Sequence, residues 1–335
     1  MSSKLNMKCA AFSVTAQVAM NVMIVALGLS GTSSPGTPSR KFIPPLSLIS
    51  KVPGVPHEPA PIRQNSTAVT AAVAVYQSGE IEVQMIHYHG GPITPDTCAL
   101  RAWRGRHAFI SFAHPAQINL ASEVCQSFAL DNGAFTAWKA AGRNKIDWRD
   151  YYDFVARWKN HPGFDFAIIP DVIDGGEAEN EALLDEWPHG DFYGVPVWHM
   201  NESDDRFIRL CHEYPRVAIG SCGEYDVKRP NLAVTRMKDL IRHVTDGHGQ
   251  PVTKFHGLRM LNPLIFTQLP LASADSTNVA RNIGIDKAWS GAYAPASKET
   301  RAAVLVERIE SHNSPGTLNY CEKRDRISLQ LPLEV

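Results

Sequence analysis

The sequence has no Cys-x-x-Cys pair. Its six cysteines, Cys9, Cys98, Cys125, Cys211, Cys222 and Cys321, are scattered, which excludes a zinc ribbon and a dense disulfide framework and fits reduced thiols in the cytoplasm. His-Glu-x-x-His, Gly-x-x-x-x-Gly-Lys-Ser/Thr and a Gly-x-Gly-x-x-Gly opening a helix are missing too. Metalloprotease, P-loop and dinucleotide chemistry therefore lack their usual groups, and the sequence points to no metal and no cofactor. Charge of one sign is also lacking: 33 Lys and Arg against 34 Asp and Glu give a net −1. No global field selects a polyanion, although a local basic groove remains open. The one mildly apolar stretch near the start, residues 10–29, is broken by Ser13, Thr15, Gln17 and Asn21 and makes a poor membrane span.

The first 84 residues differ from the rest. Lys4 and Lys8, the apolar run and the small residues around Gly31 resemble a secretory signal. Pro35 to Pro61 then holds eight prolines in 27 residues, which favours extended, unpacked chain. Two readings compete: a signal with a linker, or a disordered or spurious extension ahead of an ordered protein that starts near Met85. The second is preferred because the chemistry argued below belongs in the cytosol. The expected organisation is an extension over 1–84, a barrel over 85–320 and a tail over 321–335.

What is there, from Met85 onward, is an alternation of short apolar runs and amphipathic helices, the grammar of an α/β fold with a parallel sheet. The pattern predicts strands at about 85–89, 107–113, 127–131, 164–170, 194–199, 216–221, 254–259 and 271–275. Asp147 is placed to cap a helix whose stripe is Trp148, Tyr151, Tyr152, Val155 and Trp158. Ser203 is placed to cap one with Phe207, Leu210, Cys211 and Tyr214. Asn231 opens a third, with Val234, Met237, Leu240, Ile241 and Val244 in register. Such stripes are the ordinary signature of core packing. Eight strands with helical crossovers predict a (β/α)8 TIM barrel, whose site lies at the carboxyl ends of the strands; a doubly wound open sheet is the alternative.

Three of the runs end in acids: Ser127-Phe-Ala-Leu-Asp131, Phe166-Ala-Ile-Ile-Pro-Asp171 and Leu271-Ala-Ser-Ala-Asp275. Asp is disfavoured in strands and costly to bury unpaired. One such Asp is most often a turn former; three on one rim perturb one another, and a ligand or a function is what balances that cost. The same rim receives His199, Glu202, the Gly220-Ser-Cys-Gly-Glu-Tyr225 turn and His256. Several carboxylates without a metal motif suit cleavage of a glycosidic bond: one attacks or stabilises the anomeric carbon and another moves the leaving group's proton. A third carboxylate matches the two adjacent N–H donors of a guanine-like base.

Leu130-Asp-Asn-Gly-Ala-Phe135 resembles the Asp-Ser-Gly-Gly-Phe turn of the tRNA-guanine transglycosylase superfamily, (β/α)8 barrels that exchange guanine for a 7-deazaguanine. Pro170-Asp171, Ile219-Gly-Ser-Cys-Gly-Glu224 and Ala274-Asp275-Ser-Thr-Asn278 follow in the family's order, over roughly residues 85 to 290. The zinc-binding cysteine cluster of the tRNA enzymes has no counterpart, since only Cys321 follows Asp275. With His87-Tyr-His-Gly-Gly-Pro-Ile-Thr94, the compact barrel looks more like the phage and bacterial relatives of these queuosine-related enzymes that modify DNA.

The resemblance implies a pentosyltransferase with Asp275 as nucleophile on C1′, Asp131 as general acid/base and Asp171 as reader of the guanine edge. Backbone groups around Ser221, Cys222 and Gly223 would bind the base carbonyl, with His199, Glu202 and His256 as positioning groups. Arg104, Arg106, Lys228, Arg229, Arg259 and Arg281 are the candidates for phosphate contact, with an ordinary solvated face as the plainer reading. The implied partners are DNA, or alternatively tRNA, and the free 7-deazaguanine base, with a helper protein or a homodimer left open. A glycoside hydrolase on the same barrel and a non-catalytic nucleic-acid-binding barrel are the other readings.

Overall fold

A computed structural model describes residues 84–141, 146–220, 223–225, 227–284, 289 and 294–323. The extension expected over 1–84 and the tail over 321–335 lie outside the described residues, save Gln84 and Cys321–Lys323. The sheet is parallel and has nine strands: β1 (Ile86–Gly90), β2 (His107–Ser111), β3 (Ser127–Asp131), β4 (Phe164–Ile168), β5 (Gly194–Val195), β6 (Val197–His199), β7 (Arg216–Gly220), β8 (Lys254–Gly257) and β9 (Ser273–Ser276). Hydrogen bonds order them β5-β4-β3-β2-β1-β9-β8-β7-β6. The two end strands are consecutive in the chain, parted only by Pro196, whose ring nitrogen has no hydrogen to give to a ladder. β5 pairs with β4 and β6 with β7. The sheet thus curls into a nearly closed barrel within a mixed α/β fold.

The helices are α1 (Asp96–Trp103), α2 (Ile118–Val124), α3 (Ala134–Ala141), α4 (Arg149–Trp158), α5 (Glu177–Asp185), α6 (Asp204–Glu213), α7 (Pro230–Ile241), α8 (Pro263–Phe266), α9 (Asn278–Asn282) and α10 (Lys298–Glu310). Ser203 caps α6 as its sequence predicts, its hydroxyl accepting from Arg206 N at 3.2 Å. Asp147 acts one residue earlier than a cap: Trp148 is the N-cap, and the Asp147 carboxylate accepts from Arg149 N at 3.1 Å. Helix α7 begins at Pro230 rather than Asn231, because Pro suits the first helical position. Its expected stripe is buried throughout.

Side-chain alternation along the strands sorts the core into two parts. Ala108, Ile110, Phe128, Leu130, Ala167, Val217 and Ile219 belong to the larger cluster between sheet and helices. Tyr88, Phe109, Ala129, Phe166, Ile168, Val195, Val197 and Ala218 form a separate cluster inside the barrel. Below that plug the interior turns polar. Tyr88 OH donates to Asp165 Oδ2 at 2.5 Å, Arg216 pairs with Asp165 at 3.2 Å, and His107 Nδ1 lies 2.8 Å from Ser127 Oγ. These groups occupy the amino-terminal end of the strands, so polar chemistry there serves the closure of the barrel floor. Tyr88→Phe removes a donor from a half-buried carboxylate. It is expected to cost about 1.5–3 kcal/mol in urea unfolding, the usual contribution of a hydrogen bond to a charged group.

Candidate active site

The expected site residues come from strand ends. Asp131 is the last residue of β3, Asp171 stands three residues past β4, His199 ends β6, and Asp275 lies in β9. Registers carry Ser111 opposite Asp131 and Tyr88 opposite Asp275. Turn geometry after Asp131 depends on Gly133, at φ +77°; a Cβ there would meet Ala113 N at 3.0 Å. Gly133 N in turn donates to Asp131 Oδ2 at 3.2 Å.

Each carboxylate has a different environment. The Asp131 carboxyl is pushed up to about 6, first by burial and then by the charges of Asp275 and Asp171, against hydrogen bonds from Ser111 and Gly133 N. All three stand at or just past the carboxyl ends of strands in one parallel sheet, and so on one rim. Asp171 is buried and held at both oxygens: Asn132 Nδ2 donates to Oδ1 at 2.8 Å and His199 Nε2 to Oδ2 at 3.0 Å. Asp275, also buried, accepts at Oδ1 from Arg259 N at 2.8 Å. Arg259 adopts φ +59°, the only positive φ among described non-glycine residues. A side chain in that region costs about 1–2 kcal/mol, here spent on wrapping the turn after β8 around the Asp275 carboxylate.

Behind Asp171 the charges alternate inward. His199 bridges Asp171 and Glu202, with Nδ1 at 3.6 Å from Glu202 Oε1. Glu202 also accepts from His199 N at 2.9 Å, from Asn180 Nδ2 at 2.8 Å and from Arg206 at 2.6 Å. Arg206 reaches on to Glu181 at 2.7 Å. Burial alone would lower the His199 imidazole, yet hydrogen bonds to Asp171 and Glu202 and their charges carry it up to about 9. Burial raises Glu202, and the His199 and Arg206 contacts more than reverse this and hold it below the usual range. Gly220 makes room for the chain, since a Cβ there would sit 2.7 Å from His199 Cδ2.

His256 lies deeper, fully buried among Phe166, Phe109 and Tyr88, with ring centroids 5.0, 5.3 and 5.9 Å away. Burial holds its imidazole below the ordinary value. At the rim, the Arg259 guanidinium stacks 3.5 Å from the Phe135 ring centre, and Lys139 Nζ approaches the same ring at 4.2 Å. Asp171 is one wall of a cleft of about 360 Å³, lined also by Trp138, Trp148, Ile173, Leu183 and Glu186 among others. It has the size of a small-molecule site, but Asp131 and Asp275 are not among its walls.

The remaining expectations divide by position. Ser221 and Cys222 lie outside the described residues, and Gly223 opens a short 3-10 turn. Lys228, Arg229, Arg259 and Arg281 follow the carboxyl ends of β7, β8 and β9. Arg104 and Arg106 stand between α1 and β2, at the opposite end from the acids, and Arg106 Nε is tied to Glu310 at 2.8 Å. Sequence reading missed Ser111, Asn180, Arg206 and Phe135. Tyr151, read as core stripe, also donates to Ile168 O at 2.7 Å and so steadies the end of β4. Among the described residues no group of three His, Cys, Asp or Glu side chains is arranged to hold a metal.

A histidine raised from 6.5 to about 9 contributes stability that is complete below pH 6.5 and is lost as pH rises through 9. Urea unfolding at pH 6.5 and 9.5 should show wild type losing up to roughly 3 kcal/mol more than His199→Gln across that window. Equal losses would remove the ion-paired histidine from the account. Comparison with known protein families, curated proteins and solved structures finds no match.

Proposed function

We propose that this chain is a base-exchange transglycosylase that replaces guanine in DNA with a 7-deazaguanine through a covalent aspartyl-sugar intermediate. The scaffold on this reading is a (β/α)8 barrel, with β5 and β6 counted as one strand interrupted at Pro196, and without the zinc subdomain of the tRNA enzymes. The observation that supports the proposal is the convergence of Asp131, Asp171 and Asp275 on one rim, each with different hydrogen-bond partners.

The chemistry divides among them. An Asp275 oxygen attacks C1′ of the flipped nucleotide; the C1′–N9 bond breaks, and its electron pair leaves with the purine, which takes the proton held by Asp131. In the second half the incoming base gives its N9 proton to Asp131, attacks C1′ and releases the Asp275 carboxylate. An Asp131 carboxyl near 6 suits a group that must both give and take a proton near neutrality. Asp171, held in place by Asn132 and His199, accepts from the adjacent N–H groups of a guanine edge. The duplex must surrender its base from the stack; Arg259, Lys228, Arg229 and Arg281 are candidates on the acid side of the barrel for the flanking phosphates. Arg104 and Arg106, at the other end, are not part of this proposal.

The test is exchange of labelled guanine and of 7-deazaguanine into duplex DNA, run beside tRNA, with intact-protein mass spectrometry for the adduct. Wild type should form a protein–DNA adduct, Asp275→Ala none. Asp131→Asn should exchange roughly 10²–10⁴-fold more slowly and lose an inflection near pH 6. An adduct that persists in Asp275→Ala, or exchange on tRNA alone, overturns the assignment.

A further inference from the structure

The role of His256 follows from its two ring nitrogens, and the inference rests on the transglycosylase reading of Asp275. Nδ1 lies 2.8 Å from Ser273 Oγ, and both residues are fully buried. Nε2 is buried with no hydrogen-bond partner of ordinary length, and it faces Asp275 Oδ1 at 3.5 Å. An ionised carboxylate only accepts, so the nitrogen facing it is the one that carries hydrogen. Nδ1 is then the acceptor, and the Ser273 hydroxyl donates to it. The other charged groups acting on the ring are Arg216 and Asp165 below it, of opposite sign and paired to each other. An aromatic cage of Phe166, Phe109 and Tyr88 fixes the ring plane.

We propose that Ser273 and His256 form a positioning dyad for Asp275: Ser273 selects the Nε2–H tautomer of His256, which donates to Asp275 Oδ1. Oδ1 then faces two donors, His256 Nε2–H and Arg259 N–H, whereas among the described residues no hydrogen bond or ion pair engages Oδ2. Oδ2 is therefore the oxygen that forms the bond to C1′. The 3.5 Å separation is long for a hydrogen bond, and catalytic contacts of this kind shorten when the reacting complex forms. The dyad does not touch the substrate. It keeps the carboxylate from rotating and takes up negative charge on Oδ1 when Asp275 departs as the carboxylate in the second half-reaction.

Two measurements separate this idea from the reading on which it rests. The first needs no activity: ¹⁵N–¹H correlation of the full chain labelled at histidine, with His256→Gln to assign the signal, reads the tautomer directly. An Nε2–H ring with an unprotonated Nδ1 is expected, shifting toward the other tautomer in Ser273→Ala; an Nδ1–H or doubly protonated ring overturns the dyad even if the enzyme exchanges bases. The second is steady-state exchange on DNA. His256→Leu should lower kcat about 10–100-fold with KM within threefold. His256→Gln, whose amide nitrogen occupies much the same place as Nε2, should recover most of that loss, and Ser273→Ala should fall between. Equal losses in the Leu and Gln variants, or a change confined to KM or to the melting temperature, contradict a positioning role. Absence of exchange in wild type, with the tautomer as expected, would defeat the transglycosylase reading and leave the dyad as a fact of the fold.

Discussion

Three carboxylates cannot share the rim of one barrel unless their repulsion is offset, and the site is built around the three different ways in which this is done. Asp131 takes up a proton readily, its carboxyl lifted to about 6. Asp171 is paired with an imidazolium and an amide. Asp275 is held by a backbone N–H from a residue forced into a left-handed conformation. On the proposed reading, proton, counter-ion and dipole are also three chemical roles: one acid that exchanges a proton, one that reads a base edge, and one oriented for attack.

The scaffold explains why the offsets are possible. Inward-facing positions of the strands fill the barrel with Tyr88, Phe109, Phe166 and their neighbours, so the acids stand on an apolar plug rather than over water. Burial of that kind is what raises Asp131 and what makes the alternation from Asp171 through His199 and Glu202 to Arg206 necessary. An ion chain of this depth is a weak source of stability, because desolvation cancels much of its attraction. Its use is geometric: it fixes which oxygen of Asp171 faces the imidazole.

Much of this was legible in the sequence. Strand positions followed from short apolar runs, and the acid at the end of Ser127–Asp131 falls on the last residue of β3. The strand predicted at 194–199 is present but divided by Pro196. Ser203 capped α6 as expected, whereas Asp147 and Asn231 each missed the helix boundary by a residue: Trp148 takes the N-cap position of α4, and Pro230 takes the first position of α7. What the sequence could not show was pairing across the fold. Glu202 lies four residues before Arg206, but only the fold brings Glu181 to it, and Arg104 and Arg106 look like phosphate ligands until the topology sends them to the barrel floor. Residue type tells the charge; only the closed sheet tells which end carries it.

The central claim is that Asp131, Asp171 and Asp275 act on one another across a single rim. Titration of the ¹³C-labelled Asp131 carboxyl in wild type and in Asp275→Asn tests it most directly. The account predicts a midpoint near pH 6 in wild type that moves down toward the ordinary carboxylate range when the charge at position 275 is removed. An Asp131 that titrates like a free aspartate, or whose midpoint ignores the substitution, would contradict it.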